Sequence, residues 1–422
     1  MSRFLYTLTI WLLMPWALLH LLWRARRQPE YLQHWGERFG RYAVHADSLP
    51  PTIWLHAVSV GETRAAQPLV ALLRSRWPQH RILFTHMTPT GRYTSEEIFG
   101  HDANVERVYL PYDCPSSMKS FLRHFRPAIG IIMETELWPN LIAACNDKGI
   151  QLLLVNARLS EKSARRYARF PALTRQALRG LTAIAAQGAE DAARLEELGA
   201  GEVRISGNMK FDIEPPPQQL QLGAALREEW GGGARPILLA ASTRDGEEAL
   251  LLDAFIKRPI DGLLLVIVPR HPQRFDEVAS LAASRGLRLQ RRSEAAALRP
   301  ETRVLLGDSM GEMFAYYAAS DVAFIGGSLL DYGSQNLIEA CAVGVPLLLG
   351  ASTHNFAEAA DAALACGAAL RIADADGIMT AAAELLGDAA ARKRMGDAGK
   401  AFAGQHRGAS QRVLELVGKF LP

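Results

Sequence analysis

Three strand ends in the second half of this chain carry the residue types that hold a phosphate. An apolar run, Val322–Ile325, ends in Gly326-Gly327-Ser328, a loop with Gly333 and Ser334 follows, and a helical pattern begins near Gln335 or Asn336. Glycine lets a backbone approach a phosphate closely, and a helix N-terminus adds free N–H groups and the positive end of a dipole. Glu339 falls about one turn into that helix, where a carboxylate can accept hydrogen bonds from ribose hydroxyls. Ala241 is followed by Ser242-Thr243-Arg244-Asp245-Gly246-Glu247-Glu248, a helix start with hydroxyl caps. Val268 is followed by Pro269-Arg270-His271-Pro272, with Arg274 nearby. Arg270 is the better phosphate candidate, because its planar fork is always charged. Each signal has a plain alternative, a tight bend or an arginine paired with a surface carboxylate. Three polar strand ends in one domain favour a nucleotide site.

The first half carries carboxylates. Glu37 sits in Trp35-Gly36-Glu37-Arg38-Phe39-Gly40, bracketed by glycines. It is either an exposed turn residue or a general base taking a proton from a substrate hydroxyl. The segments His56–Glu62 and Glu134–Asn140 each leave a strand and enter a helix. Lys162, Arg165, Arg166 and Arg169 share one helix face, either merely solvated or in contact with lipid phosphates. There is no GxSxG nucleophile elbow and no P-loop lysine motif. Asp374-Ala375-Asp376 follows the last strand pattern and reads as a helix start, not a metal pair. No His/Cys cluster has zinc spacing, so no catalytic metal and no cofactor are expected. Cys114, Cys145, Cys341 and Cys366 are scattered and read as free thiols in a reducing compartment.

These residues need a scaffold and a location. The chain has 422 residues, 49% of them hydrophobic and 22% charged, enough for two cores. Its net charge of +3 is uneven: six arginines against two glutamates give Met1–Arg41 a charge of +4, leaving −1 for the rest. The excess flanks Phe4–Trp23, which has no Asp, Glu, Lys or Arg. That placement favours an anionic membrane surface over nucleic acid. Twenty apolar residues suffice to cross a bilayer as a helix, and Arg24, Arg26 and Arg27 behind them put the rest of the chain on the cytoplasmic side. Tyr6, Thr7 and Thr9 dilute the segment enough to keep an in-plane anchor open.

Beyond the anchor, short apolar runs alternate with helical patterns, as in parallel sheets covered on both faces. The runs are Ile53–Ala57, Ile82–Thr85, Val105–Leu110, Ile129–Glu134, Leu152–Asn156 and Ile184–Ala186, then Ile237–Ala241, Leu263–Val268, Val304–Leu306, Val322–Ile325, Leu347–Leu349 and Ala369–Ile372. Pro215-Pro216-Pro217 and Gly231-Gly232-Gly233 interrupt the alternation. The expected organisation is an anchor with its basic flank (1–27), a Rossmann-like domain (28–206), a linker containing a helix (207–235), a second Rossmann-like domain (236–400) and a C-terminal helix packing back on the first (401–422). This α/β plan places ligands in a cleft at the carboxyl ends of the strands.

At WGERFG (35–40), WLHAVSVGE (54–62), ETELWPN (134–140), NARLSEKS (156–163), GNMKFD (207–212), VPRHPQRF (268–275), GDSMGE (307–312) and GGSL (326–329) the chain resembles the Kdo (3-deoxy-D-manno-oct-2-ulosonic acid) transferases of Gram-negative bacteria, which are GT-B glycosyltransferases. The resemblance spans essentially the whole chain. It implies CMP-Kdo as donor, a tetraacylated lipid A precursor as acceptor, and an inverting displacement without metal; the charge beside the apolar segment adds inner-membrane anionic lipids as partners. The resemblance implies Glu37 as general base with Glu134 and Glu136 near the reacting groups. It puts Arg270, Ser328, Asn336 and Glu339 on the CMP side, with His271, Gly311 and Gly327 in the accompanying motifs; the strand end after Ala241 adds Ser242 as a donor-side candidate. Ser59, Arg158, Lys162, Arg165, Arg166 and Arg169 then belong to the acceptor and membrane side. The chain departs where the family reads Gly-Gly-His-Asn-Pro-Leu-Glu-Pro, having Gly333-Ser334-Gln335-Asn336-Leu337-Ile338-Glu339-Ala340, and Arg244 stands where a His is common. The residues alone are also compatible with a GT-B enzyme using a UDP-sugar, or a membrane-tethered nucleotide-binding protein without turnover.

Overall fold

The apolar runs become two seven-stranded sheets, every pairing in them parallel. The structure, a computed structural model, describes residues 1–26, 28–43, 50–294 and 296–421; Arg27 of the expected basic flank lies outside the described residues. The first sheet contains β1 (Thr52–His56), β2 (Arg81–His86), β3 (Val105–Tyr109), β4 (Pro127–Met133), β5 (Gln151–Ala157), β6 (Ala183–Ala186) and β7 (Val203–Ile205), in the order β3-β2-β1-β4-β5-β6-β7. The second contains β8 (Ile237–Thr243), β9 (Leu264–Pro269), β10 (Leu289–Arg291), β11 (Val304–Leu306), β12 (Val322–Ile325), β13 (Leu347–Leu349) and β14 (Ala369–Arg371), in the order β10-β11-β9-β8-β12-β13-β14. Strand order reverses at β1/β4 in one sheet and at β8/β12 in the other. Such switch points open a crevice at the strands' carboxyl ends.

Both faces of the central strands are covered. In the first sheet Ile53, Leu55, Ile129 and Ile131 enter one core, and Trp54, Ile132, Leu152 and Leu154 the other. The Trp54 indole N–H, which burial would otherwise leave unsatisfied, donates to Thr85 Oγ1 at 2.8 Å. β7 and β10 were not anticipated. Each is a three-residue edge strand carrying arginine, with one neighbour and no continuous apolar run.

The chain forms two compact units, 1–212 with 406–422, and 213–405. The segment expected to be a linker is divided between them. Met209 and Phe211 are buried in the first unit. The helix Pro217–Glu229 packs in the second, where Gly223 meets the helix Met313–Ala319 and Arg227 donates to both Asp321 oxygens. The chain thus changes units at Asp212, with little free connection. Asp212 also caps the last helix, Ala409–Val417, accepting from the backbone of Gly408, Ala409 and Ser410. Val413, Leu416 and Val417 of that helix enter the first unit's core beside the helix Val60–Arg76.

Candidate functional site

The crevice of the first unit is lined by the ends of β1 and β4. The turn after β1 starts a helix at Ser59, whose hydroxyl accepts from Glu62 N–H at 3.3 Å and donates to Glu62 Oε1 at 2.9 Å. Glu62 Oε2 accepts from Val58 N–H at 2.8 Å. This reciprocal cap occupies Ser59, expected as an acceptor-side residue, with a local task. Burial, then the charge on Glu134, pushes the Glu62 carboxyl up to about 7. After β4 the chain turns sharply at Glu134, a non-glycine residue with φ of +55°. Such strain persists only where surrounding structure imposes it. Glu134 lies 3.5 Å from Lys210, and burial raises the Glu136 carboxyl. Glu62, Glu134 and Glu136 therefore interact as one acidic group, with Lys210 as a cation beside it; neither Glu62 nor Lys210 has a role expected from the sequence. His56 ends β1 fully buried, its Nδ1 at 2.8 Å from Thr85 Oγ1, and burial lowers it to about 4, so it is neutral at pH 7.

Glu37 lies elsewhere on this unit. It belongs to the 3₁₀ turn Trp35–Phe39, entered through His34 at φ +53° and left through Gly40 at φ +74°. A Cβ on Gly40 would stand 2.8 Å from the Ser117 carbonyl, so only glycine fits. Glu37 is no loose surface residue: its side chain is 14% exposed. Its Oε2 accepts from Arg92 Nη1 at 2.6 Å and from Tyr109 N–H, at the end of β3, at 2.7 Å. Among the described residues its Oε1 faces His34 Nδ1, at 3.4 Å. One oxygen is pinned and the other is lightly engaged, a geometry that fixes a proton acceptor's direction. Arg92 is a partner that nothing in the local motif announces, since it arrives from the helix Pro89–Phe99. Arg38 is buried against the Tyr109 ring, 3.9 Å from its centroid, and donates to the Met87 carbonyl.

The basic stripe behaves as the spacing predicts. Lys162, Arg165, Arg166 and Arg169 are all exposed along and just beyond the helix Glu161–Ala168, and Arg165 pairs with Glu161 at 3.3 Å. Arg158, half-buried, contributes its carbonyl to the Thr135 hydroxyl.

In the second unit the ends of β8 and β12 meet. Gly326 abuts β8 so closely that a Cβ would lie 2.5 Å from the Ser242 carbonyl, and Ser242 itself bends with φ of +55°. The turn is held by Glu247, which has no exposed surface. Glu247 Oε2 accepts from Gly327 N–H at 2.7 Å and Arg244 N–H at 2.8 Å, and Oε1 accepts from Leu329 N–H at 3.0 Å. The next loop is stitched to it, with Gln335 N–H donating to the Gly326 carbonyl and Ser334 N–H to that of Gly327. Ser328 departs from expectation. Its hydroxyl is fully buried, donating to the Ile325 carbonyl and accepting from Gly350 N–H, so it braces the turn and is not presented to a ligand. The helix after this loop starts later than expected, at Ile338, and runs only to Val343. Before it, Asn336 Oδ1 accepts from Ile338 N–H and Asn336 Nδ2 donates to Glu339 Oε1 at 3.1 Å.

Cations gather beside this turn. Arg270 is half-buried after β9, its N–H bonded to the Thr243 carbonyl. His271 Nε2 is 3.0 Å from Arg244 Nη1, and burial together with Arg244, Arg270 and Arg274 lowers its pKa. Arg274 is paired with Glu248, Asp245 and Glu277, and the Arg244 guanidinium lies over the Tyr332 ring, 4.7 Å from its centroid. Gly311 sits in an exposed loop with φ of +79° and open space about its Cα. An open depression of about 580 Å³ adjoins the turn, lined by Leu329, Asp331, Ser352 and His354 among others. Asp374 caps its helix, accepting from Gly377 N–H at 2.7 Å, and Asp376 pairs with Lys257.

Two units, each built on a parallel seven-stranded sheet with a switch point, are the architecture of a GT-B glycosyltransferase. A glycosyltransferase from Rickettsia africae shares this fold, with a TM-score of 0.58 at 12% identity over 89% of this chain and 99% of that one. Residues 33–213 match the family described as 3-deoxy-D-manno-octulosonic-acid transferase (kdotransferase), and residues 251–402 match glycosyl transferases group 1. A 3-deoxy-D-manno-octulosonic acid transferase of Bordetella pertussis is 42% identical over 438 residues, covering 100% of both chains. One from Haemophilus influenzae is 37% identical, covering 100% of this chain and 99% of its own. The chain belongs to the Kdo transferase family.

Proposed function

We propose that the protein moves Kdo from CMP-Kdo to the lipid A precursor lipid IVA, with inversion at the sugar's anomeric carbon. The observation that carries this reading is the end-to-end identity with enzymes named for Kdo transfer, over a chain whose two units hold complementary chemistry. The second unit takes CMP. Arg270 and Arg244 oppose the phosphate charge, the Gly327 turn lets the backbone approach, and Glu339 with Asn336 meets the ribose. The first unit takes the acceptor. Glu37 accepts the proton of the attacking hydroxyl through Oε1 while Arg92 and Tyr109 N–H hold Oε2. The new bond forms at the anomeric carbon as its bond to the CMP phosphate oxygen breaks, and CMP leaves with the bonding pair. Glu134 and Glu136 line the same unit's crevice near the acceptor. The apolar N-terminal helix and the exposed cations at Lys162, Arg165, Arg166 and Arg169 keep the enzyme at the cytoplasmic face of the inner membrane, where a lipid acceptor lies.

The test is a purified-enzyme assay with freshly generated CMP-Kdo and lipid IVA, products read by mass. A mass increase of one or more Kdo units supports the reading. Transfer from UDP-sugars instead, or CMP binding without turnover, overturns it.

A further inference from the structure

Among the described residues one helix is long and apolar enough to cross a membrane, Arg3–Ala25. Its contacts argue against crossing. At its start, Tyr6 donates its hydroxyl to Asp113 Oδ2 at 3.0 Å, and Thr7 Oγ1 lies 2.9 Å from both Asn140 Oδ1 and the Arg3 carbonyl, which share its one proton. Both partners are buried in the first unit and are themselves fixed. Asp113 accepts from Asn140 N–H at 3.0 Å and Leu141 N–H at 2.8 Å, and Asn140 Nδ2 donates to the Asp113 carbonyl. At the other end Leu21 and Ala25 are buried with Tyr31. The helix rises about 1.5 Å per residue, so Tyr6 and Ala25 are roughly 28 Å apart along its axis. A helix that crossed would carry Tyr6 and Thr7 to the far interface, away from Asp113 and Asn140.

Exposure along the helix agrees. Apart from the end residue Met1, the less exposed positions are Arg3, Tyr6, Thr7, Ile10, Met14, Ala17, Leu18, Leu21 and Ala25. They recur at three- and four-residue spacing, so they form one stripe over the full length. The opposite face presents Phe4, Leu8, Leu12, Trp16, Leu19 and Trp23, all exposed. A helix held against its own domain along one side leaves only the other side for lipid.

We infer that the N-terminal helix lies in the membrane plane, latched lengthwise to the first unit through Tyr6–Asp113 and Thr7–Asn140, and seats its apolar face in one leaflet of an anionic bilayer. Charge supports that occupant over a second protein copy. Arg24 and Arg26 are exposed at one end of the helix. Near the other end Arg3 shares a cavity with Leu173 and Gln176 of the helix Pro171–Arg179, which follows the exposed cations Lys162, Arg165, Arg166 and Arg169. Arginines near both ends of an apolar face draw it toward anionic lipid. The inference refines the membrane attachment proposed above. Its test reads topology and not turnover, so it stands or falls apart from the donor and acceptor.

The full-length protein is tested in membranes with Ser2→Cys, using exposed Cys366 as the internal marker for the side occupied by the second unit. A membrane-impermeant maleimide is expected to label neither thiol in intact spheroplasts and both in inverted vesicles. Labelling of Ser2→Cys in spheroplasts while Cys366 stays protected would mean a spanning helix and would overturn the inference. Depth supplies the second readout. Fluorophores at Leu5→Cys, Leu12→Cys and Leu19→Cys, in a Cys366→Ser background, are quenched by nitroxide lipids in vesicles of mixed zwitterionic and anionic phospholipid. Similar shallow depths at all three support the in-plane helix. A profile deepest at Leu12, or no quenching at any position because another copy covers the face, refutes it.

Discussion

Replacing Glu37 by Gln separates basicity from architecture, and the geometry sets the size of each effect. Glu37 Oε2 accepts two charge-assisted bonds, from Arg92 and Tyr109 N–H. Such bonds contribute about 1.5–3 kcal/mol each, against about 0.5–1.5 for neutral ones. A glutamine oxygen turned into the Oε2 position keeps both donors satisfied, so the fold loses only the charge assistance, about 2 kcal/mol. For a unit of this size that corresponds to a melting temperature lower by about 4–8 °C. The loss of a positioned base costs about 10²–10⁴ in rate, or about 3–5 kcal/mol of barrier. Turnover of lipid IVA at saturating CMP-Kdo should therefore fall far more than the small change in folded fraction allows. Arg92→Gln is the control. It removes the ion pair and leaves the carboxylate, still held by Tyr109 N–H, so it should lower the melting temperature comparably while costing less turnover than Glu37→Gln. Steady-state kinetics and differential scanning calorimetry on both variants decide the matter. Near-normal turnover in Glu37→Gln, or equal turnover losses in the two variants, would refute the assignment and shift the base to Glu134 or Glu136.

Other outcomes follow from the same geometry. Glu62, raised to about 7 by burial, holds its proton more tightly folded than unfolded, so its contribution is full below pH 4.5 and lost as pH rises through about 7. Glu62→Gln should flatten that fall, worth roughly 3 kcal/mol at most, in urea melts at pH 5 and 7.5; parallel pH dependence in both proteins would contradict it. Glu247→Gln should weaken CMP binding about tenfold, because an amide cannot accept from Gly327, Arg244 and Leu329 N–H as the carboxylate does, and one unsatisfied buried donor costs about 1–3 kcal/mol. A lower melting temperature with unchanged CMP affinity by calorimetry would reduce Glu247 to a purely structural role. Arg270→Ala should weaken CMP by about tenfold or more, the worth of one charge-assisted bond, and unchanged affinity would remove it from the donor site.

The two α/β units were legible because parallel strands covered on both faces read as near-continuous apolar runs, and Leu152–Asn156 or Val322–Ile325 can be little else. The edge strands β7 and β10 were not legible, since an edge strand of three residues with arginine has no such run. The stretch between Pro215 and Gly233 is a similar case. Consecutive prolines and glycines mark turns, but whether the helix between them packs depends on what meets Gly223 and Arg227, residues ninety positions away. For the candidate site, types and local spacing singled out Glu37, the Glu134–Asn140 segment and the Gly326–Ser328 turn as candidates. Partners could not be found that way, because a contact such as Arg92 with Glu37 spans 55 positions.

By itself the sequence determined the family, the two-unit parallel α/β plan, the apolar N-terminal helix and the strand ends where polar residues concentrate. These are matters of residue order, local propensity and short-range periodicity. Only the tertiary structure decided which of those polar groups are already spent. Ser328 is consumed bracing Gly350, Ser59 capping Glu62, and one oxygen of Glu37 holding Arg92. It likewise decided that Tyr6 and Thr7 meet Asp113 and Asn140, more than a hundred residues on. Hydrogen bonds and burial are set by distances of a few ångströms in space, and a linear pattern of residues does not encode which distant strand end folding brings within that reach.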